Sequence, residues 1–434
     1  MATPPASRND FEIAIVCALP LEYDAVSHLV DEFWDDERYG RAAGDPYEYT
    51  TGRIGPFNIV IALLSGMGKV NATSATACLR FSFPSLELVL VTGICGGVPQ
   101  TRSGRELFLG DVVISNTIVQ YDLGRRFPTK FKTKDTLSES LGRPARHVRN
   151  LIARLETRRG LQRLEQQAAI NLEKLQSRQS DGYEAAKYDF PGTDADHLYP
   201  TSHLHKHHLA GLCSTCNHGP GAMCDTSFKL SCRELGCDLQ QPIPRTRFQY
   251  NERLRVPRVS IGRLGSGDTV LRSGEDRDRI AAEHDLIAFE MEGAGVWDEI
   301  PSIVVKGICD YADSHKNKDW QQFAAATAAS VTRALVEKYP RTDKPSNSRQ
   351  PDGIGHDLYD NEPASHGHTS VGNTKPVSNT NLRAPSSDAC RILAYDRNEN
   401  FIPRPDINSK LDRLLPSNSD EFHSAALWGL GGSG

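Results

Sequence analysis

Two short stretches of the chain hold residue types that could do acid–base chemistry on a bound small molecule. Ala288-Phe289-Glu290-Met291-Glu292-Gly293-Ala294-Gly295 sets two carboxylates around a methionine just before a small-residue helix start. Val304-Val305-Lys306-Gly307-Ile308-Cys309-Asp310 ends an apolar strand on an aspartate. A run such as 303–308 suits a strand buried in a parallel sheet, and ligands of open α/β sheets sit at the carboxyl ends of such strands, where Asp310 falls. Acids at helix starts also serve as N-caps and first-turn residues, so the elements that place them decide between the readings.

Those elements can be read along the chain. The first is the near-continuous apolar run Phe11-Glu12-Ile13-Ala14-Ile15-Val16-Cys17-Ala18-Leu19, which suits a central strand; it ends at Pro20, after which Leu21-Glu22-Tyr23 opens a helix. Residues 47–64 read as hairpin-like, with Thr51-Gly52-Arg53-Ile54-Gly55 as the turn. They deliver the chain to Ser65-Gly66-Met67-Gly68-Lys69-Val70, a glycine-bearing turn into an alanine-rich helix. A strand over 86–92 runs into Gly93-Ile94-Cys95-Gly96-Gly97, and 109–115 is another strand. From about 121 to 256 the pattern changes to a charged helix-forming stretch, a His/Cys-rich stretch and Pro/Arg-rich coil, which together read as an insertion. The sheet pattern resumes at Ser260-Ile261-Gly262 and closes with a helix over 320–339. The spacing therefore predicts one α/β domain over 11–340 with a large His/Cys-rich insertion. Residues 1–10 and the Ser/Pro/Asn/Gly-rich segment 341–395 are expected to be disordered, for want of apolar content to offset the entropy of ordering.

Composition narrows the classes. With 434 residues, 38% hydrophobic and 24% charged, the chain can bury a large core. A formal net charge of −5 gives no overall pull toward nucleic acid or an anionic membrane, and neither is expected as a partner. No apolar run approaches the ~18 residues of a membrane span, and Met1–Asp10 has no basic region followed by an apolar core, so a cytoplasmic location is expected. Cys17, Cys78, Cys95 and Cys309 lie in apolar patterns and read as reduced core thiols.

Glu22, Gly93–Gly97, Glu290–Glu292 and Asp310 all follow strands and can converge at one sheet edge. Their order and spelling resemble the nucleoside phosphorylase superfamily, which includes purine nucleoside and uridine phosphorylases and the methylthioadenosine/S-adenosylhomocysteine nucleosidases. The resemblance covers about 11–120 and 256–340. It is carried by Ala-x-x-x-Glu ending at Glu22, Ser-Gly-x-Gly-Lys-Val at 65–70, Thr-Gly-x-x-Gly-Gly at 92–97, Gly-Asp-Val-Val-Ile-Ser at 110–115, Ser-Gly-Asp at 266–268, Glu-Met-Glu at 290–292 and Cys-Asp-x-x-Asp at 309–313. The resemblance implies cleavage of an N-glycosidic bond through an oxocarbenium-like ribose, with a purine nucleoside or nucleotide as partner and no cofactor. Asp310 would protonate purine N7, a task for a carboxyl made less acidic by burial. Glu292 would hold the ribose hydroxyls, with Met291 on the sugar face and Glu290, Cys95, Gly96 and Val270 also at the substrate. Glu22 would activate the attacking water. Met291 as core filler and Glu22 as a first-turn helix acid are the plainer readings of the same residues. The resemblance also implies a three-layer α/β/α sandwich with a mixed central sheet, and a homo-oligomer is expected.

Two departures bear on the reaction. The phosphorylases resembled place an arginine before the Gly93-type turn to hold phosphate; this chain has Leu90-Val91-Thr92 there, which favours water over phosphate as nucleophile. After Ser-Gly-Asp the nucleosidases place a phenylalanine near the purine; here Val270-Leu271 follows, so stacking must come from elsewhere, with Tyr121, Phe127 and Tyr311 as candidates. A phosphate-dependent phosphorylase and a catalytically idle nucleoside-sensing or oligomerisation module are the alternatives; intact Glu22, Glu292 and Asp310 argue against idleness. Arg125, Arg126, Lys130, Lys132, Lys134, Arg143, Arg146 and Arg149 are either a phosphate-recognising cluster, which would suit ATP, or a solvated basic surface.

The His/Cys-rich stretch leaves structural zinc and reduced thiols both open. Cys213-x-x-Cys216 has zinc spacing, but Cys232 and Cys237 are four residues apart, and no role assigned above calls for a catalytic metal. Near the C-terminus, over 396–434, Ala425-Ala426-Leu427-Trp428 leads into Gly429-Leu430-Gly431-Gly432-Ser433-Gly434, which reads as a strand and the first half of a Walker A loop without its lysine. This order resembles fungal immune-receptor-like multidomain proteins, in which a nucleoside phosphorylase-like domain precedes a nucleotide-binding module.

Overall fold

The computed structural model describes residues 3–340, apart from 35, 135, 137–138, 178–187, 210–212, 220, 238–241, 247–256 and 317. The expected linker 341–395 and the Walker-type segment 396–434 lie outside the described residues. The strands are β1 Ile13–Cys17, β2 Glu32–Phe33, β3 Tyr49–Ile54, β4 Phe57–Leu63, β5 Leu88–Gly97 and β6 Val112–Gln120. They continue with β7 Gly124–Arg126, β8 Phe131–Thr133, β9 Val259–Ser266, β10 Leu286–Glu290 and β11 Ser302–Asp310. Nine of them form one sheet in the order β10-β9-β6-β11-β5-β1-β4-β3-β2, while β7 and β8 pair separately.

The sheet is mixed, as expected. β1 runs parallel to β4 and β5, and β5 parallel to β11, whereas β11 and β6 are antiparallel. β10 pairs parallel with β9 and also antiparallel with β5, so five strands curl into a closed ring. Apolar continuity explains the central positions: every residue of β1 and all but the last of β11 are buried, as strands covered on both faces require. The two faces of β11 do different work. Gly307 lies against the carbonyl of Ala324, so the alanine-rich helix Gln321–Lys338 seats directly on the sheet. The neighbouring Lys306 points to the other face, toward Glu292 and the short helix Gly293–Val296, which packs on the helix Lys69–Ser82. Helices thus cover both faces, giving the three layers.

Several boundaries differ from the sequence reading. Thr51 to Ile54 belong to β3, and the hairpin turns at Gly55, whose φ of +55° favours glycine. Gly93–Gly97 is not a turn after a strand but the second half of β5, paired with β11 and, at Gly96 and Gly97, with β10. Residues 3–10, expected to be disordered, are held by a 3-10 turn at Arg8–Asp10 capped by Ser7 and by the Tyr39 hydroxyl, which donates to Pro5 O at 2.9 Å. Within the insertion, the helices Arg146–Glu156 and Arg158–Ser177 bury Leu151, Ile152, Leu155, Leu164 and Leu172 in the main core. Asn171 Nδ2 donates to Ser330 O at 3.1 Å. This half of the insertion is part of the domain's packing, because its apolar residues recur at helical spacing on one face. The rest of the insertion holds the β7–β8 pair and, among the described residues of 188–246, short helical turns with a small cluster of Tyr199, Leu235 and Cys237. Among the described residues no helix is long and apolar enough to cross a membrane.

Candidate active site

The carboxyl ends of β1, β5, β10 and β11 surround a cleft of about 1090 Å³, lined among others by Glu22, Cys95, Gly96, Glu290, Met291, Glu292 and Asp310. The structure thus brings together the acids named from sequence. Val270 also lines the cleft.

Glu22 stands in the first turn of the helix Pro20–Ser27 and is 2% exposed. Its Oε2 accepts from Ala18 N at 2.9 Å and Leu19 N at 3.0 Å, and Oε1 accepts from Ile94 N at 2.8 Å. It therefore does cap the helix start, yet Oε1 reaches across to β5 and keeps a lone pair for a further donor. Burial pushes this carboxyl above the ordinary glutamate range, opposed by the field of Lys306 and reinforced by Glu292. The approach explains Gly93: a Cβ there would lie 2.1 Å from Glu22 Oε1. Gly96 plays the same part for Asp310, since its Cβ would lie 3.0 Å from Asp310 Oδ1 and 2.9 Å from Ala312 Cβ. The glycine spacing of β5 is the space the two acids occupy.

Glu292 Oε2 accepts from Lys306 Nζ at 2.8 Å, and its Oε1 from Gly68 N at 3.3 Å. Lys306 is 1% exposed. Burial alone would favour its neutral form, but the fields of Glu292, Glu22 and Glu290 outweigh this and raise its pKa. Glu290 points back into the Glu-Met-Glu turn, where Oε2 accepts from Glu292 N at 3.0 Å and Gly293 N at 2.9 Å. Burial pushes its carboxyl up, with Lys306 opposing. Its bonds are those of a group that shapes the turn.

Asp310 Oδ1 accepts from Ala312 N at 2.8 Å and Lys316 Nζ at 2.6 Å, while Oδ2 meets the Cys309 thiol at 3.3 Å. Beyond the burial expected from sequence, the structure gives this acid an ion pair with Lys316. Lys306 and Lys316 are the residues that reasoning from sequence missed. Lys306 was hidden by its position inside an apolar strand, where a lone lysine signals a buried counter-charge. Lys316 was hidden by a loop whose path sequence does not give. The Ser-Gly-Asp segment contributes indirectly: Lys69 N donates to Asp268 Oδ1 at 2.8 Å, and Lys69 Nζ to Asp122 Oδ1 at 2.6 Å.

Of the stacking candidates, only Tyr311 lines the cleft, and its hydroxyl is fixed by Asp196 at 2.7 Å and Arg245 at 2.8 Å. Tyr121 instead packs edge-on against Phe289, ring centroids 5.5 Å apart, and Phe289 lines the cleft. Phe127 is exposed. The basic residues 125–149 do not line the cleft; Arg125, Arg126, Lys130, Lys132, Arg146 and Arg149 are solvent-exposed, and Lys134 pairs with Glu139 at 2.9 Å. The cations that do line it are Lys229, Arg233, Arg272, Lys316 and Lys318. Groups able to hold a metal ion lie beside the cleft in the His/Cys-rich part, and one of them includes His315 from the loop after β11.

Residues 12–173 match the family model described as Phosphorylase superfamily. Over 339 residues and 77% of its length, the chain is 26% identical to a nucleotide-binding leucine-rich repeat (NLR)-like protein of Hyaloscypha variabilis, of which it spans 30%. It is 24% identical to a 5'-methylthioadenosine/S-adenosylhomocysteine nucleosidase of Mycobacterium bovis, over 76% of this chain and 96% of the relative. It is 23% identical to the ATP nucleosidase Cap17 of Escherichia coli, over 75% of this chain and 51% of the relative. Over residues 12–173 the chain is thus similar to the Phosphorylase superfamily.

Proposed function

We propose that the chain hydrolyses the N-glycosidic bond of a purine nucleoside or nucleotide. The observation that carries this reading is the convergence of Glu22, Glu292 and Asp310, from three different strand ends, on one cleft. Bond cleavage moves positive charge onto the ribose and negative charge onto the base. Glu292, oriented by Lys306, accepts from the ribose hydroxyls and stabilises the cationic sugar. Asp310 in its protonated form meets the base and gives it the proton, leaving the carboxylate that Lys316 holds at 2.6 Å. Glu22, with a carboxyl pushed upward by burial, takes the proton of the attacking water.

Water suits this site better than phosphate. At the Glu22–Glu292 end the cation is Lys306, already paired at 2.8 Å, and Leu90, Val91 and Thr92 supply no positive charge. A phosphate there would face two carboxylates. The named relatives, a methylthioadenosine/S-adenosylhomocysteine nucleosidase and an ATP nucleosidase, favour the same reading. Lys229, Arg233, Arg272 and Lys318 on the cleft favour a substrate with phosphates on its 5′ side. The reading includes a cytoplasmic homo-oligomer, to be checked by light scattering; the buried free thiols Cys17, Cys95 and Cys309 suit that compartment.

The test is chromatography of free base released from adenosine, methylthioadenosine and ATP, with and without inorganic phosphate, beside Asp310→Asn. Phosphate-independent release that is lost in the variant supports hydrolysis. A strict phosphate requirement makes the enzyme a phosphorylase, and no release from any substrate leaves a binding module.

A further inference from the structure

The His/Cys-rich part of the insertion resolves into two quartets. His205, Cys232, Cys237 and His315 form one; His207, Cys213, Cys216 and Cys224 form the other; within each, the ligand atoms all lie within 4.8 Å of one another. In the first quartet, His205 Nδ1 is 3.5 Å from Cys232 Sγ and 3.6 Å from Cys237 Sγ, and His315 Nδ1 is 3.7 Å from Cys232 Sγ. In the second, His207 Nδ1 is 3.6 Å from Cys216 Sγ and 3.5 Å from Cys224 Sγ. Metal–ligand lengths of ~2.3 Å to sulfur and ~2.0–2.1 Å to nitrogen, at tetrahedral angles, place S and N about 3.6 Å apart. The measured separations are the edges of such a tetrahedron.

The outer contacts agree. His205 Nε2–H donates to Leu230 O at 2.9 Å and His315 Nε2–H to His203 O at 2.7 Å, so both rings turn Nδ1 lone pairs toward the thiols. A backbone carbonyl on the far ring nitrogen is the usual support of a metal-bound histidine. This part of the chain also has little apolar core of its own, the condition under which small folds take a metal staple.

We propose that each quartet binds a structural zinc ion, a Cys2His2 centre and a Cys3His centre, closed to substrate because all four positions are filled by protein. The first does more than hold the insertion together. His315 belongs to the loop after β11, and Ser314 Oγ accepts from His205 N at 3.0 Å. Lys316, next in sequence, pairs with Asp310. On the other side, Arg233 follows the ligand Cys232 and lines the cleft with Lys229. The Cys2His2 zinc therefore fastens the cationic rim of the cleft to the loop that carries the partner of Asp310.

The metal assignment does not depend on the reaction proposed above, and its test reads metal directly. The full chain, purified without chelator, is analysed by inductively coupled plasma mass spectrometry. Two zinc ions per chain are expected, one in His315→Ala, one in Cys213→Ser, and two in His203→Ala. Should a variant fail to fold, X-ray absorption at the zinc edge of the unaltered protein gives an average shell of five sulfurs and three nitrogens over two metals. A folded, metal-free chain, a His315→Ala protein retaining both ions, or an oxygen-rich shell overturns the proposal.

Discussion

Lys306→Met tests whether the site is an electrostatic unit. The ammonium is 1% exposed and lies 2.8 Å from Glu292 Oε2; Glu292 and Glu290 are each 4% exposed and Glu22 is 2% exposed. Removing the cation leaves three buried carboxyls around the vacated space. Breaking a buried pair from one side costs about 3–5 kcal/mol, against a total domain stability of ~5–15 kcal/mol. Urea unfolding should show a loss in that range near neutral pH. The loss should also depend on pH. A carboxyl whose folded pKa is raised keeps its full contribution below its ordinary value and loses it as pH rises through the folded value. Glu22 and Glu290 are both raised, and Lys306 lowers both, so its removal carries their folded values higher still. The deficit should then be larger at about pH 8 than at about pH 5. Lys306→Met/Glu292→Gln should recover part of it, since removing both partners leaves less unpaired charge. A deficit under about 1 kcal/mol, or one independent of pH, refutes the reasoning.

Glu22→Gln should lower the rate of base release by about 10²–10⁴-fold while leaving the fold intact, as loss of a general base does. Because the Glu22 carboxyl is raised from 4.5 and must be deprotonated to act, the acid limb of the wild-type pH–rate profile should lie above that value, and a limb at or below it contradicts the role. Gly93→Ala puts a methyl where Glu22 Oε1 stands, 2.1 Å away, so it should cost at least as much activity as Glu22→Gln; wild-type turnover would show that Glu22 is free to move. Lys229→Ala/Arg233→Ala should raise KM for ATP by about 10-fold or more and leave adenosine turnover unchanged, because each lost charge-assisted contact is worth ~1.5–3 kcal/mol. Equal effects on both substrates would remove these cations from phosphate recognition.

The legible part of the molecule was the part whose physics is local. β1, β5 and β11 announce themselves as apolar runs because both their faces are covered, and Glu22, Glu292 and Asp310 follow from strand ends that share a sheet edge. Gly93–Gly97 was misread as a turn because glycine in a strand looks like a breaker; only the positions of Glu22 and Asp310 reveal it as clearance for close approach. The Lys316 pairing and the contribution of His315 to a His/Cys quartet join residues far apart in sequence. His315 Nδ1 meets a thiol 83 positions away, a distance no spacing rule covers. The place of the cationic rim is not legible for a related reason: Arg and Lys are dense at 125–149, yet density does not say which of them face a cleft and which face water.

The antiparallel pairing of β10 with β5 has a consequence for assembly. An open sheet offers two rows of unpaired backbone groups to other chains. Here one end is folded back into the ring, and the other is β2, two residues long, with Glu32 bridged to Arg53. Among the described residues, the open end of the sheet is closed by a strand of only two residues. Among those residues, the nine-stranded sheet therefore gives self-association little edge to use, and a larger protein could gather many copies together without these sheets joining edge to edge.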